Sequence, residues 1–350
     1  MTCSAWVRSP RALASLAAWI VLLGAFGLQG SAGADETPLL VAGAVFESPT
    51  LTVAPIVALR LPLGRDAVTV SQIGWTTGVA FEAPRDAELR WDSTLALTPI
   101  RAHLSHGVFA PNGKELPAEE FDDTAVRVTT GAAWGKDHVR VFAHGVGGKE
   151  WLSGVAPPLA TPFRTVFGGA EMVVVLEDLR GEDIIASRID GVRVSLRAEG
   201  LVGERTWGDA DVTLSLGRRV GPAFARLDAG AFYVTLDNPV TDFLIGGSWD
   251  ILGSAALYGH PLGAFRLPAG AAATAGLDIK TIGPIEVGAR ASALAGTPVP
   301  HEGLGALVRG DVSGIAFFAG VGTADAAAFH GDVARSSIFA GASGALLFLP

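Results

Sequence analysis

Charged side chains in this chain recur at two-residue steps between apolar neighbours. Arg193, Arg197 and Glu199, with Ser195, alternate with Val192, Val194, Leu196 and Ala198, and Glu286 and Arg290 alternate with Ile285, Val287, Ala289 and Ala291. Residues two apart on an extended strand share a face. By that parity Arg127, Arg140, Arg193, Arg197, Glu199, Asp211, Arg226, Asp228, Glu286, Arg290, Arg309 and Asp311 belong to polar faces that back onto apolar ones. A face of this kind either neutralises itself through ion pairs or lines a wet passage for charged solutes. Both uses are open from the sequence.

Reaction chemistry is harder to place. The chain contains no H-E-x-x-H, P-loop or G-x-S-x-G motif. His103 and His106 would share a helix face and grip a metal, but on a strand their odd spacing sends them to opposite sides. The acidic run from Glu115 to Asp123 lacks the ligand spacing of an EF-hand loop. His144, with inward Arg140, has no nucleophile placed beside it. The expectation is a protein that is not an enzyme, with no catalytic residue, no metal site and no cofactor.

The elements that must hold the charges read as strands. Clear period-2 windows run through Leu89–Leu97, Val126–Trp134, Val192–Glu199, Arg226–Tyr233, Ile285–Ala293 and Leu304–Val312. Weaker ones cover 38–48, 51–62, 66–82, 137–146, 166–178, 207–218, 241–252, 264–279 and 315–323. Helical spacing would scatter the charges around the circumference, whereas strand spacing gathers them on one side. The stretches 107–123 and 147–165 read as long loops, the first through Pro111-Asn112-Gly113 and its acidic run, the second through Gly and Pro.

Residues 1–34 read as a secretory signal peptide: Arg8 and Arg11 precede the apolar run Leu13–Leu28, and Ala32-Gly33-Ala34 offers a cleavage site. The single cysteine, Cys3, falls inside this leader, which leaves the remainder without disulfides or a Cys-ligated metal. The net charge of −9, more negative still without the two leader arginines, argues against nucleic acid as a partner. Hydrophobic residues make up 49%, yet no apolar run of about 18 residues follows the leader. High apolar content without helical spans is what a membrane barrel needs, because its strands alternate apolar-out and polar-in over roughly 9–11 residues.

The chain closes with Ile338, Ala340, Ala342, Gly344, Leu346 and Phe348 on one face. This resembles the C-terminal strand of Gram-negative outer-membrane β-barrel proteins, although Leu349 and Pro350 follow the terminal aromatic. The resemblance is to the class and to no particular family. It implies contact with outer-membrane lipid and recognition of the last strand by the barrel-assembly machinery. Phe243-Leu244-Ile245-Gly246-Gly247 resembles a glycine pair of BamA-type barrels, without the arginine-containing turn expected after it.

The sequence therefore predicts an all-β, antiparallel transmembrane β-barrel over residues 35–350, with about 14 strands and a range of about 10–16 from the length per strand. The twelve charged positions above would line its lumen. The expected role is a porin-like passive pore or structural membrane protein for which small solutes are possible ligands. The competing architecture is a soluble periplasmic or secreted β-sandwich or β-solenoid of binding type, since a sheet with one wet face has the same period.

Overall fold

A computed structural model describes residues 39–47, 52–63, 66–73, 76–82, 88–104, 119–153, 163–183, 188–204, 206–235, 243–245, 256–260, 265–297, 300–312, 315–325 and 336–347. The leader 1–34, the glycine pair Gly246-Gly247 and the terminal Phe348 lie outside them.

Antiparallel pairing runs in chain order from β1 (Leu39–Glu47) through β2 (Thr52–Leu63), β3 (Asp66–Ile73), β4 (Thr76–Glu82), β5 (Leu89–Leu104), β6 (Glu119–Lys136), β7 (Val139–Ser153), β8 (Phe163–Asp183), β9 (Arg188–Val202), β10 (Thr206–Val220) and β11 (Ala223–Val234). After β12 (Phe243–Ile245) and β13 (Phe265–Leu267), which pair only with each other, the wall resumes. It continues with β14 (Ala269–Lys280), β15 (Ile285–Ala295), β16 (His301–Val312), β17 (Ile315–Ala324) and β18 (Ser336–Leu347). β18 then pairs with β1 over nine residues, from Leu39↔Leu347 to Glu47↔Phe339, and closes a barrel of sixteen strands. Closure removes every edge of the wall, and it excludes the sandwich and solenoid alternatives.

Sixteen strands replace the expected fourteen, and two windows depart from their reading in opposite directions. The window 66–82 is a hairpin, β3 and β4, whose two-residue connection at 74–75 is too short to part it into two windows. The windows 241–252 and 264–279 were each read as wall, whereas β12 and β13 are short strands off the wall and only β14 joins it. The two stretches read as loops are shorter than expected: 119–123 belongs to β6, while 147–153 and 163–165 belong to β7 and β8. Main-chain pairing, on both sides over 122–123 and 147–152 and on one side elsewhere, outweighs the acidic and Gly-rich composition there.

Alternation is visible in the burial of β15, where Ile285, Val287, Ala289, Ala291 and Ala293 are exposed while Gly288, Arg290, Ser292 and Leu294 are buried. Around the wall Leu95, Leu97, Leu196, Val212, Val287, Val308, Val321 and Ile338 are likewise exposed. These side chains form the outer apolar belt. Trp134, near the end of β6, and Tyr233, near the end of β11, are exposed toward opposite ends of the barrel and flank it.

One rim carries two-residue connections at 64–65, 137–138, 221–222 and 313–314, with Asp137 and Gly221 in the left-handed region. The other carries the longer connections 105–118, 154–162, 235–268 and 325–335. We call these the short-turn rim and the long-loop rim.

Candidate functional site

Strand parity sends the charged residues inward, and the wall sorts them into two territories. Across β5–β10 an ion-pair network spans several strands. Arg127 reaches Glu199 at 2.5 Å and Glu171 at 3.1 Å. Arg197 joins Glu199 at 3.3 Å, Glu171 at 3.4 Å, Asp211 at 2.7 Å, and Asp209. His144 stands between Asp92, at 2.6 Å, and Glu171, at 3.4 Å. Nearer the short-turn rim, Glu177 accepts hydrogen bonds from Arg140 at 2.7 Å and Arg193 at 3.1 Å. The Arg127 side chain stays 31% exposed while Glu199 is 2% exposed, so carboxylates sit at the wall and guanidinium groups face the water. Toward the long-loop rim the network gives way to an apolar cluster of Val146, Phe167, Leu201 and Trp207.

The inner face of β14–β18 is built differently. It offers Ala272 and Thr274, Ser292 and Leu294, Gly303, Gly305 and Leu307, Gly320 and Gly322, then Ser337 and Phe339. The described parts of the segment between β11 and β14, residues 243–245, 256–260 and 265–267, fold back onto this surface. Ile245, Leu257, Phe265 and Leu267 form one buried cluster with Ala272 and Leu294. Tyr258 forms a second with Leu307 and Phe339, its ring edge-on to Phe339 at 5.7 Å. Polar contacts fix the register: Tyr258 N–H donates to Ser292 Oγ at 3.0 Å, and Thr274 Oγ1 donates to the Ala256 carbonyl at 3.0 Å.

Approach is close enough that the wall must lack side chains. A Cβ on Gly303 would run into the Tyr258 carbonyl oxygen, and one on Gly322 would lie 2.5 Å from the Gly259 nitrogen. Gly259 itself turns the segment at φ 82°, a conformation that favours glycine.

Beneath the turn lies a second charge cluster. Arg290 pairs with Asp278 at 2.7 Å, the two side chains being 1% and 0% exposed, and Arg309 approaches Asp278 at 3.7 Å. The Tyr258 side chain lies within electrostatic reach of the Arg290 guanidinium. The turn that follows the glycine pair thus carries a tyrosine, and the arginine it meets comes from the wall.

Where the turn reaches the long-loop rim, His260 meets His301, the first residue of β16, and Asp325, which follows β17 at φ 47°. Burial alone would raise the Asp325 carboxyl. The Glu302 N–H and the two imidazoles outweigh it and hold that carboxyl below its ordinary value.

Of the remaining sequence-nominated positions, Arg226 pairs with Asp228 through Nε at 2.7 Å, Glu286 pairs with Arg219 at 3.3 Å, and Asp311 is exposed near the short-turn rim. Sequence reasoning missed Glu171, Glu177, Asp209 and Asp278 as partners, although each shares the inward parity of its strand. It also missed Tyr258 and His260, which sit in an irregular segment with no period to read. The strand pairing His103↔Glu120 sets His103 opposite the acidic run, with no side chain described there.

No protein-family model and no curated protein matches the chain. Several solved structures share its fold. CdiB from Acinetobacter baumannii superposes with a TM-score of 0.61 at 11% identity, over 89% of this chain and 60% of that one. BamA from Haemophilus ducreyi lacking POTRA domains 1–3 gives 0.63 at 9% identity, over 89% and 71%. CdiB from Escherichia coli gives 0.57 at 10% identity, over 90% and 64%. The chain therefore spans about 60% of the length of the Acinetobacter protein. The likeness is one of fold: a closed antiparallel barrel of the outer-membrane type.

Proposed function

We propose that the chain is an integral outer-membrane barrel whose own inward-folded segment occludes one side of the lumen, making it a passive pore of restricted cross-section for small solutes. The observation that carries this reading is the seating of Ala256–His260 on the inner face of β14–β18. Supporting it are the outer apolar belt, the leader read at residues 1–34, and the wet charge network opposite the seat. Short turns then face the periplasm and long loops the exterior, and β18 offers the barrel-assembly machinery its signal. In this reading the chain is not an enzyme. Ester or peptide hydrolysis by the refolded protein that disappears in His144→Ala would overturn that part.

Planar-bilayer recording tests the pore. Tyr233 pairs with Ala269, so residues 236–267 can be replaced by a short Gly-Asn turn without opening the wall. The full chain is expected to give small conductance steps and the shortened chain larger ones. Equal steps from both, or a full chain that is soluble after cell breakage, would overturn the proposal.

One observation favours a second reading, in which the wall opens sideways and accepts an extended polypeptide by strand addition. The β1–β18 seam is held by nine residue pairs and by no connecting turn. Ala44 and Ala342 face each other across it, and Cys3 is the chain's only native cysteine. A cross-linked Ala44→Cys/Ala342→Cys barrel that complements a deletion strain as well as its reduced form would remove this reading.

A further inference from the structure

The rim cluster of His260, His301 and Asp325 unites three separate parts of the chain: the lumen segment, the start of β16 and the end of β17. One donor atom from each lies within 4.8 Å of the other two. His260 Nε2 is 3.8 Å from Asp325 Oδ1, and His301 Nδ1 is 3.5 Å from Asp325 Oδ2, so the imidazoles address different oxygens of one carboxylate. The carboxylate is itself held. Glu302 N–H donates to Oδ1 at 3.0 Å, and Asp325 N–H donates to the Glu302 carbonyl at 2.7 Å. Phe265 packs against both imidazoles, with ring centroids 5.2 Å from His260 and 4.6 Å from His301.

We propose that His260, His301 and Asp325 bind a divalent transition metal, zinc above all, which clamps the lumen segment to the wall. Two neutral imidazoles and one carboxylate are a nitrogen-rich three-ligand set with room for a fourth, water ligand, the donor chemistry that suits zinc. Tetrahedral bonds of about 2.0–2.1 Å place ligand atoms about 3.3 Å apart. The present separations reach this value through a small inward movement of the His260 ring, which gives up its 3.3 Å contact with the Glu302 carbonyl. The Glu302 main-chain N–H orients the Asp325 carboxylate, as outer-shell hydrogen bonds do at such sites, and Phe265 packs on both rings. The ligands come from both sides of the seat. A metal that binds only the seated state at 100 times its Kd therefore makes unseating about 100-fold rarer.

Metal binding stands on this geometry alone, whereas the clamping of a lumen occluder rests on the function proposed above. The test uses the full, untagged chain refolded in detergent micelles and stripped with chelator. Calorimetry with zinc is expected to give one ion per chain with a micromolar or tighter Kd at neutral pH, and cobalt(II) is expected to give a tetrahedral visible absorption. His301→Ala and Asp325→Asn keep the strand and the left-handed turn, and heat-modifiable migration confirms their folding. Loss of even an outer-shell partner costs about 10–100-fold, so each variant should weaken binding at least about tenfold.

Absence of stoichiometric binding in the folded parent, or unchanged affinity in both variants, would overturn the site. Zinc should also suppress conductance in the parent and not in His301→Ala. Binding without suppression, with equal steps from the full and shortened chains, would fault the occluded-pore reading and leave the site intact. Binding without suppression, with larger steps from the shortened chain, would overturn the clamp alone.

Discussion

Two halves of one wall, folded by the same two-residue rhythm, enclose different interiors. In β5–β10 the inward positions carry long charged side chains that meet across strands and keep contact with water, as Arg127 and Arg197 do. In β14–β18 the inward positions are largely glycine, alanine and serine, and the space they leave is taken by the lumen segment. Alternation decides which residues point inward. The size of those residues decides whether the interior is wet or sealed.

The charges make the difference testable. Arg290 and Asp278 are sealed under the Tyr258 turn, whereas Arg127 and its partners share carboxylates and water. Arg290→Ala should give the largest effect. Removing one partner of a buried ion pair costs about 3–5 kcal/mol, and the lower end is expected because Arg309 remains 3.7 Å from Asp278. Urea unfolding in detergent should report a loss of about 3 kcal/mol. Replacing both partners with apolar residues of similar volume should restore most of it, since the cost lies in the orphaned charge.

The outer face should not sense the contrast at all. Leu196 in the wet half and Val308 in the sealed half are both exposed on the apolar belt. An arginine at either position faces lipid and should cost about 2–4 kcal/mol near the bilayer midplane. Equal losses for Leu196→Arg and Val308→Arg, measured by unfolding from phospholipid, would show one solvent outside both halves. A negligible loss at either position would contradict the membrane-facing assignment there.

Most of the wall was legible because a strand displays its two environments in alternation, and residues such as Arg193, Arg197 and Glu199 announce their face by parity. Strand number was less legible. The β3–β4 connection at 74–75 shifts the alternation by one residue, setting Val68 with Phe81 and Val70 with Val79, but is too short to look like a boundary, and β12 looks in sequence like any short apolar strand. The seat was not legible. Gly303, Gly305, Gly320 and Gly322 read as ordinary barrel glycines until Tyr258 and Gly259 are placed against three of them. His260, His301 and Asp325 are brought together only by the fold, so their spacing along the chain carries no metal signature.

Gly303→Val probes the seat directly. Its Cβ would collide with the Tyr258 carbonyl oxygen and lie 2.8 Å from the Tyr258 nitrogen. Overpacking of this kind costs about 1–3 kcal/mol or more. Here the turn can escape by leaving the wall, so the barrel should stay folded while protease cuts the 236–267 segment at least about tenfold faster. Unchanged protection would mean that the turn is not held where the small-residue wall receives it.

The smallest effect is expected from Arg127→Ala. Its side chain is 31% exposed, and the carboxylates it leaves, Glu199 and Glu171, keep Arg197 at 3.3 and 3.4 Å. Partly exposed pairs contribute about 0–1 kcal/mol, so the single substitution should fall near 1 kcal/mol. Arg197→Ala alone should be similarly mild toward Glu199, because Arg127 then remains. Removing both leaves Glu199, 2% exposed, without either arginine. The double variant should therefore exceed the sum of the singles by at least about 0.5 kcal/mol, the mark of residues sharing one network. Strict additivity would mean that the two arginines act independently and that the wet half owes its tolerance to water. A shortfall larger than the Arg290 effect would mean that this half is as sealed as the other.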